Sequence, residues 1–132
     1  MVTLDTSALF IAMNRDAPQH AAFREFFASC RGPLIIPVGI MSEITYLVET
    51  RLGLQTVDVF LEDIELGSYL LDSGDQDLPR IRELVHRYHD MPLGYANASV
   101  IACAERNGGQ VATIDLRHFS AVAREGTIQI VP

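Results

Sequence analysis

Short apolar runs rich in β-branched residues alternate along the chain with stretches of helical periodicity, and that alternation admits few folds. Val2-Thr3-Leu4, Leu34-Ile35-Ile36-Pro37 and Val111-Ala112-Thr113-Ile114 are too short and too closely flanked by Gly, Pro or Asp to be helices. Residues Ser68 to Leu71 and Thr127 to Val131 read as two further strands. Helices are expected from Ser7 to Met13, after Pro18 through Phe23, Phe26 and Phe27, from Ile40 to Arg51, from Leu54 to Glu65 and from Leu78 to Tyr88. Another would start with Pro92 at its first position and run through Ala104. Gly53 and the Gly108-Gly109 pair stand where helices stop. Strands separated by helices in this order predict an α/β fold with a central, mostly parallel sheet covered on both faces. At 132 residues, without internal repeat or linker, a single domain spanning 1–132 is expected.

In such folds ligands gather beyond the carboxyl ends of the strands, near a topological switch point. Asp5 directly follows the first run and Asp115 follows Ile114, so both acids are expected at one edge of the sheet. Each also suits the role of helix cap. Glu43 falls between Ile40 and Leu47 at i−3 and i+4, on the apolar stripe of its helix. A core-facing glutamate needs a cation or an arginine partner, for which Arg15 and Arg117 are candidates. Asn97 lies in a helix that Ala96, Ala98, Val100, Ile101, Ala102 and Ala104 make nearly apolar all round, so burial is expected there too. Asp90, just before Met91-Pro92, reads equally as a cap or a ligand. Oxygen donors of this kind suit Mg²⁺ or Mn²⁺. His86 and His89, three apart on a polar helix face, read as solvated surface.

Charge sharpens the choice. All ten basic residues are arginines, so chemistry that needs a P-loop or Schiff-base lysine is excluded. The net charge of −7 argues against a broad, non-specific nucleic-acid surface, which is built from phosphate neutralisation. Cys30 and Cys103 lack zinc-site or redox-pair spacing, which points to a reduced, cytoplasmic protein. No export or membrane-anchoring segment is expected.

Four stretches together carry a resemblance. They are Val2-Thr3-Leu4-Asp5-Thr6-Ser7-Ala8-Leu9, Glu43 on the third helix, Asp90-Met91-Pro92-Leu93-Gly94-Tyr95-Ala96-Asn97-Ala98, and Thr113-Ile114-Asp115-Leu116-Arg117-His118-Phe119. In this order they resemble PIN-domain ribonucleases and, more narrowly, VapC toxins of type II toxin–antitoxin systems. The resemblance implies an α/β/α sandwich in which three or four acids bind Mg²⁺ or Mn²⁺ and hydrolyse RNA, such as a transfer RNA or a ribosomal RNA loop. It implies a homodimer and a VapB-type antitoxin partner. It places Asp5, Glu43 and Asp115 in catalysis and Asp5, Asn97 and Asp115 at the metal. Ser7 and Thr113 become supporting hydrogen-bonders, and Arg117 and Arg15 contacts to the RNA backbone. The fourth family acid falls on Asn97, which keeps a carbonyl oxygen but removes one negative charge. That departure fits a natural member with weakened metal binding, a substitution made to tame a toxic protein, or compensation by Asp90. A PIN module that binds antitoxin or RNA without cutting is the alternative function. A phosphatase of the haloacid dehalogenase type would need an aspartate where Ser7 stands and a lysine further on.

Overall fold

The computed structural model describes all 132 residues. Val2, Thr3 and Leu4 form β1 (Val2–Leu4) and are buried on both faces, as the centre of a parallel sheet requires. Thr3 pairs with Ile35 of β2 (Leu34–Pro37) on one side and with Val111 of β4 (Gln110–Ala112) on the other. Outside these lie β3 (Leu70–Asp72) and β5 (Gln129–Val131), giving the order β3-β2-β1-β4-β5. Every neighbouring pair is parallel, so the sheet is wholly rather than mostly parallel.

Each return to the next strand needs a helical crossover. These are α1 (Thr6–Met13) and α2 (His20–Ser29), then α3 (Met41–Leu52) and α4 (Leu54–Glu65), then α5 (Leu78–Arg87) and α6 (Gly94–Arg106), and finally α7 (Leu116–Ala123). The first two crossovers travel one way from β1 and the last two travel the other way. Right-handed connections therefore put α1–α4 on one face and α5–α7 on the opposite face. The direction reverses between β1 and β4, and a crevice opens there at the carboxyl edge.

The core fills from both faces. Leu4, Leu9, Ile36, Ile40, Ile44 and Val48 are fully or almost fully buried, as are Leu84, Ile101 and Phe119. Ala98 through Ala104 are all buried, so α6 lies against the middle of the sheet with small side chains facing it. Gly39, in a 3-10 turn over Val38–Ile40, permits α6 to approach closely: a Cβ there would stand 2.7 Å from Ser99 Oγ.

Three local expectations are corrected. Pro92 does not open α6; the Met91 and Leu93 amides both bond the Tyr88 carbonyl, which folds Pro92 into a turn, and the helix begins at Gly94. β4 ends at Ala112 because the Ile114 and Asp115 amides turn to the hydroxyls of Ser7 and Thr113 instead of a strand ladder. The third strand lies two residues later than expected and leaves Leu70 and Leu71 exposed on the sheet's edge. No helix is long and apolar enough to cross a membrane.

Candidate active site

Asp5 is the first residue beyond β1 and is only 3% exposed. Its Oδ1 accepts from the Ala8 amide at 2.8 Å, capping α1, and from Ser7 Oγ at 2.7 Å. Its Oδ2 accepts from Thr113 Oγ1 at 2.5 Å. The sequence thus places one acid where a strand stops and a helix starts, then fixes both of its oxygens. Burial pushes the Asp5 carboxyl above the usual aspartate range; the three hydrogen bonds oppose that rise and the nearby negative charge of Asp115 adds to it. The cap and the ligand readings of Asp5 are therefore not exclusive.

Asp115 repeats the arrangement at the N-terminus of α7, where Oδ1 accepts from the His118 amide at 3.2 Å. The His118 ring adds a contact at 2.9 Å from Nδ1 to Asp115 Oδ2, while its Nε2 lies 2.8 Å from the Met91 carbonyl. His118 thereby ties the turn before α6 to the acid. Sequence reading gave His118 no role, although an Asp followed three residues later by His at a helix start is a visible signal.

Glu43 occupies the first turn of α3 and is exposed, a correction to its expected core position. The buried stripe runs through Ile40, Ile44 and Val48, one step round the helix from Glu43. Its partner is a hydroxyl rather than an arginine: Thr6 Oγ1 donates to Glu43 Oε1 at 2.5 Å. Asn97 is half-buried rather than buried. Together Asp5, Glu43, Asn97 and Asp115 line one cleft of about 380 Å³, with Ser7 also in its wall and no arginine or histidine.

Two expected contributors lie elsewhere. The Asp90 side chain is 94% exposed and pairs with His89 at 3.1 Å, so it does not replace the missing charge at Asn97. The turn around Asp90 is closed by the Tyr88 carbonyl, which accepts from the Met91 and Leu93 amides. Arg15 follows α1 and lines a separate groove with Arg24, Asp16 and Asp63, away from the acids. Arg117 is exposed on the first turn of α7, two residues beyond Asp115. His86 and His89 lie on the surface, their ring centroids 6.2 Å apart.

The donor set fits a hard divalent cation. It consists of carboxylate and amide oxygens, it holds a buried aspartate, and its walls supply no positive charge. Nowhere do three His, Cys, Asp or Glu side chains close round a single point. The site is an open shell, to which the Asn97 carbonyl, waters or phosphate oxygens would contribute the rest.

A parallel sheet in this order, with acids gathered at the switch point of its carboxyl edge, defines a class. The PIN-domain family model matches residues 2–125, and the chain belongs to the PIN-domain family. Its likeness within that family is to VapC proteins: it is 31% identical over 121 residues to Ribonuclease VapC26 of Mycobacterium tuberculosis, covering 90% of each chain. Among solved structures, VapC20 of the same organism, described as a sarcin-ricin loop cleaving toxin, aligns with a TM-score of 0.79 and 18% identity over 92% of this chain and 95% of that one. VapBC2 of Rickettsia felis, bound to a DNA fragment from its promoter, aligns with a TM-score of 0.72 and 15% identity over 99% and 98%. FitAcB of Neisseria gonorrhoeae aligns with a TM-score of 0.63 and 18% identity over 100% and 97%. The expected α/β fold is borne out by these matches.

Proposed function

We propose that this chain is a Mg²⁺- or Mn²⁺-dependent endoribonuclease, the toxin of a type II toxin–antitoxin pair. In this reading it acts in the cytoplasm as a homodimer, one PIN domain per 132-residue subunit, and a VapB-type antitoxin silences it. The observation that carries the reading is the convergence of Asp5, Glu43 and Asp115 on one cleft whose walls hold no cationic side chain. The names of the relatives support the chemistry, since one is a ribonuclease and another a toxin that cleaves the sarcin-ricin loop. The RNA in question is a structured one, a transfer RNA or a ribosomal RNA loop.

Asp5, Asn97 and Asp115 are the residues that would hold the ion. When bound, a divalent cation supplies charge neutralisation at the scissile phosphate and a more acidic water. The remaining work falls to the chain. Ser7, Ala8 and Thr113 hold both Asp5 oxygens in one orientation, so little side-chain freedom is lost when the cleft fills. His118 does the same for Asp115. Thr6 engages one oxygen of the exposed Glu43, which would take the proton of the attacking water. Hydrolysis adds the water oxygen to phosphorus, breaks a phosphorus–ribose oxygen bond and delivers a proton to the leaving oxygen. The exposed Arg117, two residues beyond Asp115, would meet a phosphate of the RNA backbone bidentately.

Asn97 favours a second reading, a module that binds antitoxin or RNA without cutting. Incubation with total cellular RNA and Mn²⁺, with and without EDTA, separates the two. Metal-dependent cutting that Asp5→Ala abolishes and Asn97→Asp increases supports the nuclease. If neither the parent nor the Asn97→Asp protein cuts any RNA, and calorimetry shows no Mn²⁺ heat at millimolar metal, the nuclease reading fails.

A further inference from the structure

A second concavity, of about 760 Å³, opens between α5 and the first turn of α6. Its apolar part includes Leu78, Val85 and Tyr95, which are 57%, 36% and 57% exposed. Arg82, His86 and His89 are exposed around it, and no carboxylate lines it. In a chain with a net charge of −7 that is an unusual wall. Arg82 stands outside the ion pairs that occupy its neighbours Arg80 and Arg87, and Asp90 meets His89 from beyond the groove.

The place of this groove matters as much as its chemistry. The Tyr95 ring is seated over the Gly39 backbone, 3.4 Å from where a Cβ would stand, so it sits at the carboxyl end of β2. That is the edge on which Asp5 ends β1. Tyr95 and Asn97 are two residues apart in the first turn of α6, about 3 Å along its axis and about 200° apart around it, so they leave the helix start on opposite flanks. One points to the apolar groove and the other lines the acidic cleft. A strand crossing the start of α6 meets both.

An exposed aromatic ring with an arginine beside it is how single-stranded nucleic acid is held without hydrogen-bond readout: bases stack and a phosphate finds the charge. We propose that this groove is a nucleobase-binding site, in which Tyr95 stacks on a base of a single-stranded RNA that passes over the N-terminal end of α6 to the acidic cleft, while Arg82 faces a phosphate of the same strand. The assignment rests on the ribonuclease reading and adds to it a residue that selects unpaired RNA.

The test measures binding of a short fluorescent single-stranded RNA, in EDTA, and of the same ribose-phosphate chain lacking bases. The full-length protein is compared with Tyr95→Ala, Tyr95→Phe and Arg82→Ala, thermal melting confirming that each is folded. Stacking predicts that Tyr95→Ala weakens the base-bearing RNA roughly tenfold, within the range for one stacked base. Tyr95→Phe should stay within about twofold of the parent, since it keeps the π-face. The abasic chain should bind the parent and Tyr95→Ala equally, and Arg82→Ala should weaken both ligands. Equal binding of base-bearing RNA by the parent and Tyr95→Ala overturns the site, as does a Tyr95→Phe protein as weak as Tyr95→Ala. The two readings fail separately. A parent that cuts RNA as fast after Tyr95→Ala loses the groove and keeps the nuclease. A parent that holds RNA through Tyr95 and cuts nothing with Mn²⁺ keeps the groove and loses the nuclease.

Discussion

Asp5 shows what a carboxylate costs when it is held ready. Burial raises its folded-state pKa above the unfolded value, so between the two values the folded chain binds more protons than the unfolded one. Stability from this group therefore falls as pH rises through that window, and the ionised form is a liability at neutral pH. Asp5→Asn keeps an acceptor for the Ala8 amide and removes the charge. It is expected to gain about 1 kcal/mol at pH 7, in the usual range for relieving an active-site compromise. Urea unfolding at a series of pH values should show that gain vanish as pH drops through the raised pKa. The two thiols make a second residue-scale contrast. Cys103 is 1% exposed and burial pushes its pKa up to about 11, while Cys30 is half-buried. Mass spectrometry after treatment with a maleimide at pH 8 is expected to find Cys30 modified and Cys103 intact.

Helices and strands were legible where their signals are local. Gly53 separates α3 from α4 where the sequence placed a stop, and it does so with φ +99°, a conformation that L side chains rarely adopt. Nothing stands within 4 Å of a Cβ at that position, so Gly53→Ala should cost about 1–3 kcal/mol from backbone strain alone, read as a lower urea midpoint at unchanged m. Gly39 is the opposite case. Its role depends on α6 lying against the 3-10 turn, a contact between segments 60 residues apart that no local pattern reveals. Gly39→Ala is expected to cost about 1–3 kcal/mol by overpacking and, by moving Ser99, to disturb Asn97 two residues before it. Glu43 was misplaced for a related reason. Ile40 and Leu47 flank it at helical spacing, but the face that the sheet covers is set by Ile40, Ile44 and Val48, and only packing reveals that choice.

At the scale of the whole molecule, the crossover rule explains why Asp5 and Asp115 meet, and the apolar pattern around Asn97 already set it inside the fold, while Asp90, read equally as cap or ligand, lies outside the cleft. Spacing left Asp90 open between cap and ligand; its side chain is 94% exposed and pairs with His89. The opposite flank is fastened by charge. Arg106 of α6 bonds Asp72 at the end of β3 and the buried Asp77 before α5. The Arg106 guanidinium holds the Asp72 carboxyl below the usual range, so this link stabilises the fold above the unfolded carboxylate pKa and is lost as pH falls through the lower folded value. Arg106→Gln is expected to cost about 2 kcal/mol at pH 7, since it leaves Asp72 and the buried Asp77 without their cation, and less as pH falls through the lowered Asp72 value. Metal should act on the other flank. Ten times its Kd of Mn²⁺ should add about 1.4 kcal/mol to the stability of the parent, seen as a raised Tm, and little to that of Asp5→Asn.

The hydroxyl that closes on Asp5 comes from Thr113, 108 residues further along the chain. A ribosome therefore delivers the first acid at the outset and its clamp near the end. Until β4 pairs with β1, Asp5 has no Thr113, no Asp115 and no crevice between them. Fragments cut short by stalled translation carry the leading acid but no assembled cleft.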